Sequence, residues 1–369
     1  MSMLRLLIFF NLLVVCGCAD FQINEGERRR VTFPSSQEER ISEMTIVFGG
    51  DYMQHSPQLN GALLAAGGYD FTPTLRYMDS LWSSADFVAL NFETTVGDAL
   101  YTGYPTFKSP VECMSALKEC GVDIIFTANN HCCDGGGRGL VRTIDCADSL
   151  GLLHLGTYKD SVGYANNRVV YIEKDDIRVA LLNYTYGTNG IPVPRGRVVN
   201  MIDTMVIKQD LELASEADVR VVSIHWGDEY QRMPNSNQRR LGARLHDWGA
   251  DVIVGTHPHV VQPAEIFRSD DGNAIDGVLF YSLGNFISNQ RDRYRDGGLN
   301  VKLYIGKGGD GEIFLGVESV PVWVYKYYDS GAYRYSVVPS YMDGRVEMSH
   351  WNQNIYKCSL RDNELHILN

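Results

Sequence analysis

A chain of 369 residues with 44% apolar residues is long enough for one large α/β domain or two small ones and can bury a sizeable core. Its net charge of −12 excludes a nucleic-acid footprint and an anionic membrane surface as the main partner. It also disfavours a polyanionic substrate unless local cations overcome the field.

The elements begin with a basic start at Arg5, an apolar run from Leu6 to Val15 and then Cys16-Gly17-Cys18. This pattern describes a secretory signal, and the run is too short to stay in a bilayer as a helix. Val15-Cys16-Gly17-Cys18 resembles a bacterial lipobox; Gly17 is small and Val15 is not, so Cys18 is the expected lipidation site. Residues 1–18 are then the signal and residues 19–43, polar and aperiodic, a tether. The expectation is an exported lipoprotein held at a membrane by its anchor, periplasmic or at the cell surface. Cys113, Cys120, Cys132, Cys133, Cys146 and Cys358 lack zinc-type Cys-x-x-Cys spacing and read as free or only partly paired thiols.

The folded part starts with the strand Met44–Phe48, which ends in Gly49-Gly50-Asp51. Phe71–Trp82 has apolar residues at helical spacing. A strand from Ala85 to Leu90 ends in Asn91-Phe92-Glu93, and the aromatic, turn-rich Tyr101–Pro110 reads as a rim loop. A helix over Val111–Cys120 precedes the strand Val122–Phe126, which runs into Asn129-Asn130-His131 with Asp134 close behind. Gly139–Leu150 is helical and capped by Gly151. Val169–Ile172 and Val179–Asn183 form a hairpin, Thr188–Arg197 a loop and Asp203–Ala217 a helix. The strand Arg220–Ile224 ends in His225. After a helix over Ser236–Gly249, the strand Ala250–Val254 ends in Gly255-Thr256-His257-Pro258-His259. Read as an extended segment stiffened by proline, that stretch points both imidazoles the same way. A strand from Gly277 to Tyr281 ends in Ser282-Leu283-Gly284-Asn285, and Gly298–Tyr328 is β-rich. Strands alternating with helices describe one mixed α/β domain in layers, residues 44–340, with residues 341–369 as an extension packed on it.

Asp51, Glu93, Asn130 with His131, His225, and His257 with His259 each directly follow an apolar strand. Ligands collect at the carboxyl ends of strands in helix-covered sheets. Oxygen and imidazole donors without cysteine suit Zn²⁺, Mn²⁺ or Fe²⁺, and six candidate ligands exceed the needs of one ion. Two metals are therefore expected, with Glu93 able to bridge them and His131 free to act as general acid. The alternative for His131 is a further ligand or a structural hydrogen bond. Glu229 and Asn285 are expected to orient the histidines from behind or to satisfy loop backbone. Trp226 reads equally as a pocket wall or as core, and Asp134 as a support of the Asn130-His131 turn.

The series Gly50-Asp51-x-Met53, Asn91-Phe92-Glu93, Asn129-Asn130-His131-x-x-Asp134, His225-Trp226-Gly227-x-Glu229, His257-Pro258-His259 and Ser282-Leu283-Gly284-Asn285 resembles the CapA (PgsA-like) capsule and poly-γ-glutamate synthesis family. That family is similar to calcineurin-like metallophosphoesterases. The resemblance implies a four-layer α-β-β-α sandwich, with Asp51 and His259 on one metal, Asn130, His225 and His257 on the other, and Glu93 between them. It further implies His131 as the leaving-group acid. Met53 stands where the phosphoesterase pattern has a histidine, so one metal is expected to be weak or absent. His55 either compensates or is a solvated loop residue. The function implied is capsule or poly-γ-glutamate production: a metal-bound hydroxide attacking a phosphoester or amide, a non-catalytic module for binding or exporting an anionic polymer, or a γ-glutamyl amidase or ligase component. The implied partners are a small-molecule or polymer substrate and other capsule-synthesis proteins.

Overall fold

The computed structural model describes residues 4–8, 42–268 and 275–368. Cys18 and almost the whole 19–43 tether lie outside the described residues, as does most of the 1–18 segment; Leu4–Ile8 runs parallel to Ile313–Val317 at a sheet edge.

Two sheets carry the fold. One runs Ile313–Asp329, Gly297–Lys307, Ser42–Tyr52, Phe87–Phe92, Ile124–Phe126, Leu153–Leu155. The other runs Ile367–Leu368, Val261–Arg268, Ile275–Leu283, Val252–Thr256, Val219–His225, Ile177–Thr185, Val170–Lys174. The period of two along each strand sends alternate side chains to opposite faces. Met44, Ile46 and Phe48 join Val179, Leu181, Val219 and Val221 between the sheets, where Leu299, Val301, Leu303 and Ile305 complete the core. The other faces pack on helices. Val47, Val88 and Leu90 meet Leu59, Leu75, Leu81 and Leu117 on one side. Ala180, Leu182 and Ile224 meet Ile207, Leu211 and Leu245 on the other. Four layers result, helix–sheet–sheet–helix, and strands buried on both faces explain the near-continuous apolar runs of the sequence.

Two expectations need correction. Phe71–Trp82 is two short helices, Thr72–Leu75 and Asp79–Trp82. The Tyr77 carbonyl, which a continuous helix would use, accepts a hydrogen bond from the Tyr341 hydroxyl at 2.7 Å. The Gly255–His259 stretch is also not extended: the strand stops at Thr256, and His257 and His259 adopt left-handed φ values of 98° and 57°. Side chains other than glycine rarely take this conformation, and it concentrates at functional sites. At the C-terminus, the helix His350–Asp362 packs Tyr356 against Trp323, and Ile367–Leu368 adds a parallel pair to Ala264–Glu265. All six cysteines of the described residues are free, with Cys132 and Cys133 sulfurs 3.9 Å apart. No helix among the described residues is long and apolar enough to cross a membrane.

The two sheets are tied where the candidate residues emerge. Strand Ile275–Leu283 belongs to one sheet; the chain turns at Gly284, and Asn285–Ile287 pairs with Asp51 and Tyr52 of the other. The Asp51 N–H donates to the Gly284 carbonyl at 2.9 Å.

Candidate metal centre

Asp51, Asn91 and Glu93 lie at the ends of two neighbouring parallel strands, with Asp51 opposite Asn91 in the register. The register shifts between Gly49 and Asp51, a bulge at Gly50. Bulges re-aim side chains next to sites, and this one breaks the alternation just before Asp51. A Cβ on Gly50 would lie 1.9 Å from the Gly284 carbonyl oxygen, so only glycine lets the two segments approach this closely. Asp51, Glu93 and His225 are wholly buried, and Asn130, His257 and His259 nearly so.

From these ends the side chains converge. His259 Nδ1 lies 3.0 Å from Asp51 Oδ2, and the His257 N–H donates to the same oxygen at 3.4 Å. His225 sits between Thr256 and Asn130, its Nδ1 2.9 Å from the Thr256 hydroxyl and its Nε2 3.0 Å from Asn130 Oδ1. Glu93 Oε1 lies 3.7 Å from His225 Nε2 and 3.8 Å from His259 Nε2. Asn91 is a polar hub that sequence reading left without a role: its amide donates to Asp51 Oδ1 at 2.8 Å and Glu93 Oε2 at 3.3 Å.

The donors fit divalent cations. Two sets bring their ligand atoms within 4.8 Å of one another: Glu93 with His257 and His259, and Asp51 with Glu93 and His225. Glu93 belongs to both, the position of a bridge. This partition pairs His257 with His259 and Asp51 with His225, where the resemblance divides them differently. Glu93 Oε1 and His257 Nδ1 are buried with no hydrogen-bond partner among the described residues. Among the described residues, the imidazole nitrogens nearest the Asp51 and Glu93 carboxylates are those of His225 and His259, and neither carboxylate has an ion pair with lysine or arginine. Burial and then the Asp51 charge push the Glu93 carboxyl well above its ordinary range. Burial, followed by the neighbouring histidines, pushes His225 well below its usual value and His257 down to about 3. Neutral imidazoles beside buried carboxylates are the forms that coordinate a metal, and a cation would relieve the uncompensated negative charge.

His131 flanks this cluster. Its Nδ1 lies 2.7 Å from Asp134 Oδ2, which also accepts the Phe107 N–H at 2.6 Å, so Asp134 holds both ring and turn. The Phe107 ring packs edge-on against His131 at 4.6 Å. On the open side, Asn189 Nδ2 is 3.4 Å from His131 Nε2, and Asn189 Oδ1 accepts from the Asn130 amide at 3.2 Å. The Tyr186 ring lies 4.6 Å from that of His257. Neither Tyr186 nor Asn189 carries a sequence signal; their loop reaches the centre only through the packing of the second sheet.

The remaining expected residues divide. Asn285 is buried and donates to the His259 carbonyl at 3.3 Å and the Arg295 carbonyl at 2.8 Å, so it holds the histidine's backbone rather than its ring. Glu229 is exposed and adjoins Tyr230, whose ring is 6.0 Å from that of His259; no hydrogen bond links it to a histidine among the described residues. Trp226 is core, donating to the Tyr281 carbonyl at 3.0 Å. Met53 is buried. His55 lies outside both donor sets and is half-buried. It caps the helix Ser56–Ala62, and its Nδ1 accepts the Asn289 N–H at 3.3 Å. Burial first, then His259, lowers its pKa to about 4.

Comparison with known proteins shows which family the chain resembles. The chain is 31% identical over 248 residues to the PGA biosynthesis protein CapA of Bacillus subtilis, covering 64% of this chain and 62% of that one. It is 30% identical over 228 residues to the capsule biosynthesis protein CapA of Bacillus anthracis, covering 58% and 53%. The chain thus spans between half and two thirds of the length of these relatives. Among solved structures, a phosphatase from Mycoplasma pneumoniae aligns at a TM-score of 0.45 and 16% identity, over 76% of this chain and 95% of that one. Residues 45–290 match the bacterial capsule synthesis protein PGA_cap, a span that holds every residue of the centre from Asp51 to Asn285, and the chain belongs to that family.

Proposed function

We propose that this chain is a metal-dependent hydrolase of extracellular polymer production, acting on a phosphoester or amide bond of a carboxylate-rich substrate. One observation carries the reading: Glu93 presents a wholly buried carboxylate oxygen, without a hydrogen-bond partner among the described residues, to two converging donor sets, with His131 alongside. Asp51, Glu93, Asn130, His225, His257 and His259 would hold the cations, Mn²⁺, Zn²⁺ or Fe²⁺ by donor type. When bound, these supply Lewis-acid activation of water and neutralise charge on the scissile group. His131 acts as general acid through Nε2 while Asp134 keeps its Nδ1 in place. Asn91 holds both carboxylates, Asn285 fixes the His259 backbone, and Tyr186 covers His257 from solvent. The proposal extends to export as a lipoprotein through Cys18 and to work beside other capsule-synthesis proteins.

The test is metal analysis of the purified protein after loading with Mn²⁺ or Zn²⁺, paired with assays on a phosphodiester and on γ-glutamyl oligomers. Stoichiometric metal and turnover of one substrate class are expected; no retained metal would sink the enzymatic reading. A non-catalytic polymer-binding module is the second reading, favoured by Met53 at the place where the phosphoesterase pattern has a histidine. Retained metal without turnover of either substrate would select it.

A further inference from the structure

Two cysteines follow His131 directly, and the chemistry proposed above uses neither. Cys132 and Cys133 are buried and free, with their sulfurs 3.9 Å apart. They pack among Leu140 and Ile144 of the helix Gly136–Leu150, Val199 and the half-buried Ile191. Two thiols in contact have a reaction that separate buried thiols lack, closure to one disulfide. Neighbouring Cα atoms stand about 3.8 Å apart across a trans peptide, whereas disulfides usually join Cα atoms about 4.4–6.8 Å apart. A bond between neighbours is therefore strained. Strained disulfides are easily reduced, and they are the labile or regulatory ones rather than permanent staples.

Closure would draw the sulfurs from 3.9 Å to about 2.05 Å, and the turn that carries them must absorb the movement. That turn is the one that sets the centre. The Cys132 N–H donates to the Asn129 carbonyl at 3.3 Å, the Asp134 N–H to the His131 carbonyl at 3.1 Å and the Gly136 N–H to the Cys133 carbonyl at 2.8 Å. The His131 N–H donates to Asn129 Oδ1 at 3.1 Å. Interleaved with these bonds, Asn130 Oδ1 sits 3.0 Å from His225 Nε2, and Asp134 Oδ2 sits 2.7 Å from His131 Nδ1. Access runs through the loop that bears Ile191. Its neighbours Gly190 and Pro192 are exposed, and Asn189 of the same loop lies 3.4 Å from His131 Nε2.

We infer that Cys132 and Cys133 are a reversible modification site: a small-molecule disulfide oxidises them to a bond between neighbours, and closure displaces Asn130 and His131 from the centre. The step balances by thiol–disulfide exchange. One cysteine sulfur loses its proton, attacks the oxidant's disulfide and expels one thiol. The other then loses its proton, attacks the first cysteine sulfur and expels the second thiol. Two electrons and two protons pass from the pair to the oxidant, which leaves as two thiols. The export proposed above would keep the protein in a compartment where such oxidants persist. The effect on the centre rests on the metal-dependent reading; the closure itself does not.

The test holds the whole purified protein in glutathione buffers from fully reduced to fully oxidised, then unfolds it, blocks free thiols with iodoacetamide and reads peptide masses. In oxidising buffer the peptide holding Cys132 and Cys133 is expected to be two hydrogens lighter and unblocked, and dithiothreitol should restore it. Hydrogen–deuterium exchange over residues 127–136 is expected to change on closure, a readout that needs no metal. Mn²⁺ affinity is expected to fall about tenfold, the scale of disturbing a metal ligand's support. Cys132→Ser and Cys133→Ala should each lose all three responses, so either serves if the other does not fold, and Cys146→Ser should keep them. A pair that stays blocked in oxidising buffer, a glutathione adduct that never resolves, or a bond from either cysteine to Cys146 would overturn the inference. So would closure that leaves exchange unaltered or, in protein that binds Mn²⁺, leaves affinity unaltered. Closure with altered exchange in a protein that binds no Mn²⁺ would uphold the site and count against the metal-dependent reading alone.

Discussion

Asp51 and Glu93 are buried together without an ion pair to lysine or arginine among the described residues, and unpaired buried charge is among the costliest arrangements a side chain can adopt. The Glu93 carboxyl, raised well above the about 4.3 of a free glutamate, therefore keeps its proton further up the pH scale in the metal-free protein. The sign follows: the stability linked to this group is full at low pH and is lost as pH rises through its folded value. A divalent cation takes the proton's place. Below the raised Glu93 value, loading with Mn²⁺ is expected to release a proton, and affinity is expected to rise with pH until Glu93 is ionised in the metal-free form. His225 and His257, held below their usual values, are already neutral at neutral pH and add no release. Calorimetry in two buffers of different ionisation enthalpy measures this; heats that do not differ between buffers, or a Glu93→Gln protein with the same proton count, would refute it. At His131 the expected loss is different. His131→Ala should lower turnover by about 10²–10⁴-fold while leaving metal content unchanged. Asp134→Asn should cost less and shift the pH profile, because Asp134 positions the ring without touching the reacting atoms. Asp51, Glu93, Asn130, His225, His257 and His259 are legible in the sequence because each follows an apolar strand directly. Asn91, Tyr186 and Asn189 are not, since neutral polar and aromatic residues at strand ends and in loops are common everywhere.

At the level of elements, the site depends on two irregularities rather than on the regular strands. The bulge at Gly50 delivers Asp51, and the left-handed turn at His257-Pro258-His259 delivers the imidazoles. Gly50→Ala should destabilise the fold by about 1–3 kcal/mol, the usual range for forcing atoms into a packed contact. It should also weaken metal binding, because the displaced Gly284 carbonyl receives the Asp51 N–H. Urea denaturation and metal titration of the same variant check both; a change in stability with unaltered metal affinity would mean that the bulge does not position Asp51. Strand pairing follows from alternation and is readable in advance, as with Met44, Ile46 and Phe48 facing the inner core. A bulge or a positive φ is a property of two contacting segments. The sequence of either alone carries only a glycine or a His-Pro-His, which is why the latter reads as extended.

For the whole molecule, the centre lies where the two sheets are laced together by the crossing at Gly284, so cation binding and global stability are coupled. Metal bound to the folded state alone stabilises it by about 2.7 kcal/mol at a hundred times the dissociation constant. Adding Mn²⁺ or Zn²⁺ to the metal-free protein should raise the thermal midpoint, and chelation should reverse the gain. An unchanged midpoint at saturating metal would mean that the donor sets do not hold an ion. Some features were determined by the sequence by itself. The alternation of apolar strands and helices dictates a layered α/β domain, because strands buried on both faces must be apolar throughout. The charged and imidazole residues after those strands mark the edge of the sheets where chemistry collects. Tertiary structure alone decided the rest. It set which histidines share Glu93, closed the turn that aims His257 and His259, and brought Tyr186 and Asn189 over the centre. It also packed Ile191 onto Cys132 and Cys133. Each of these is a distance between segments far apart in the chain, set by packing, which local sequence pattern does not encode.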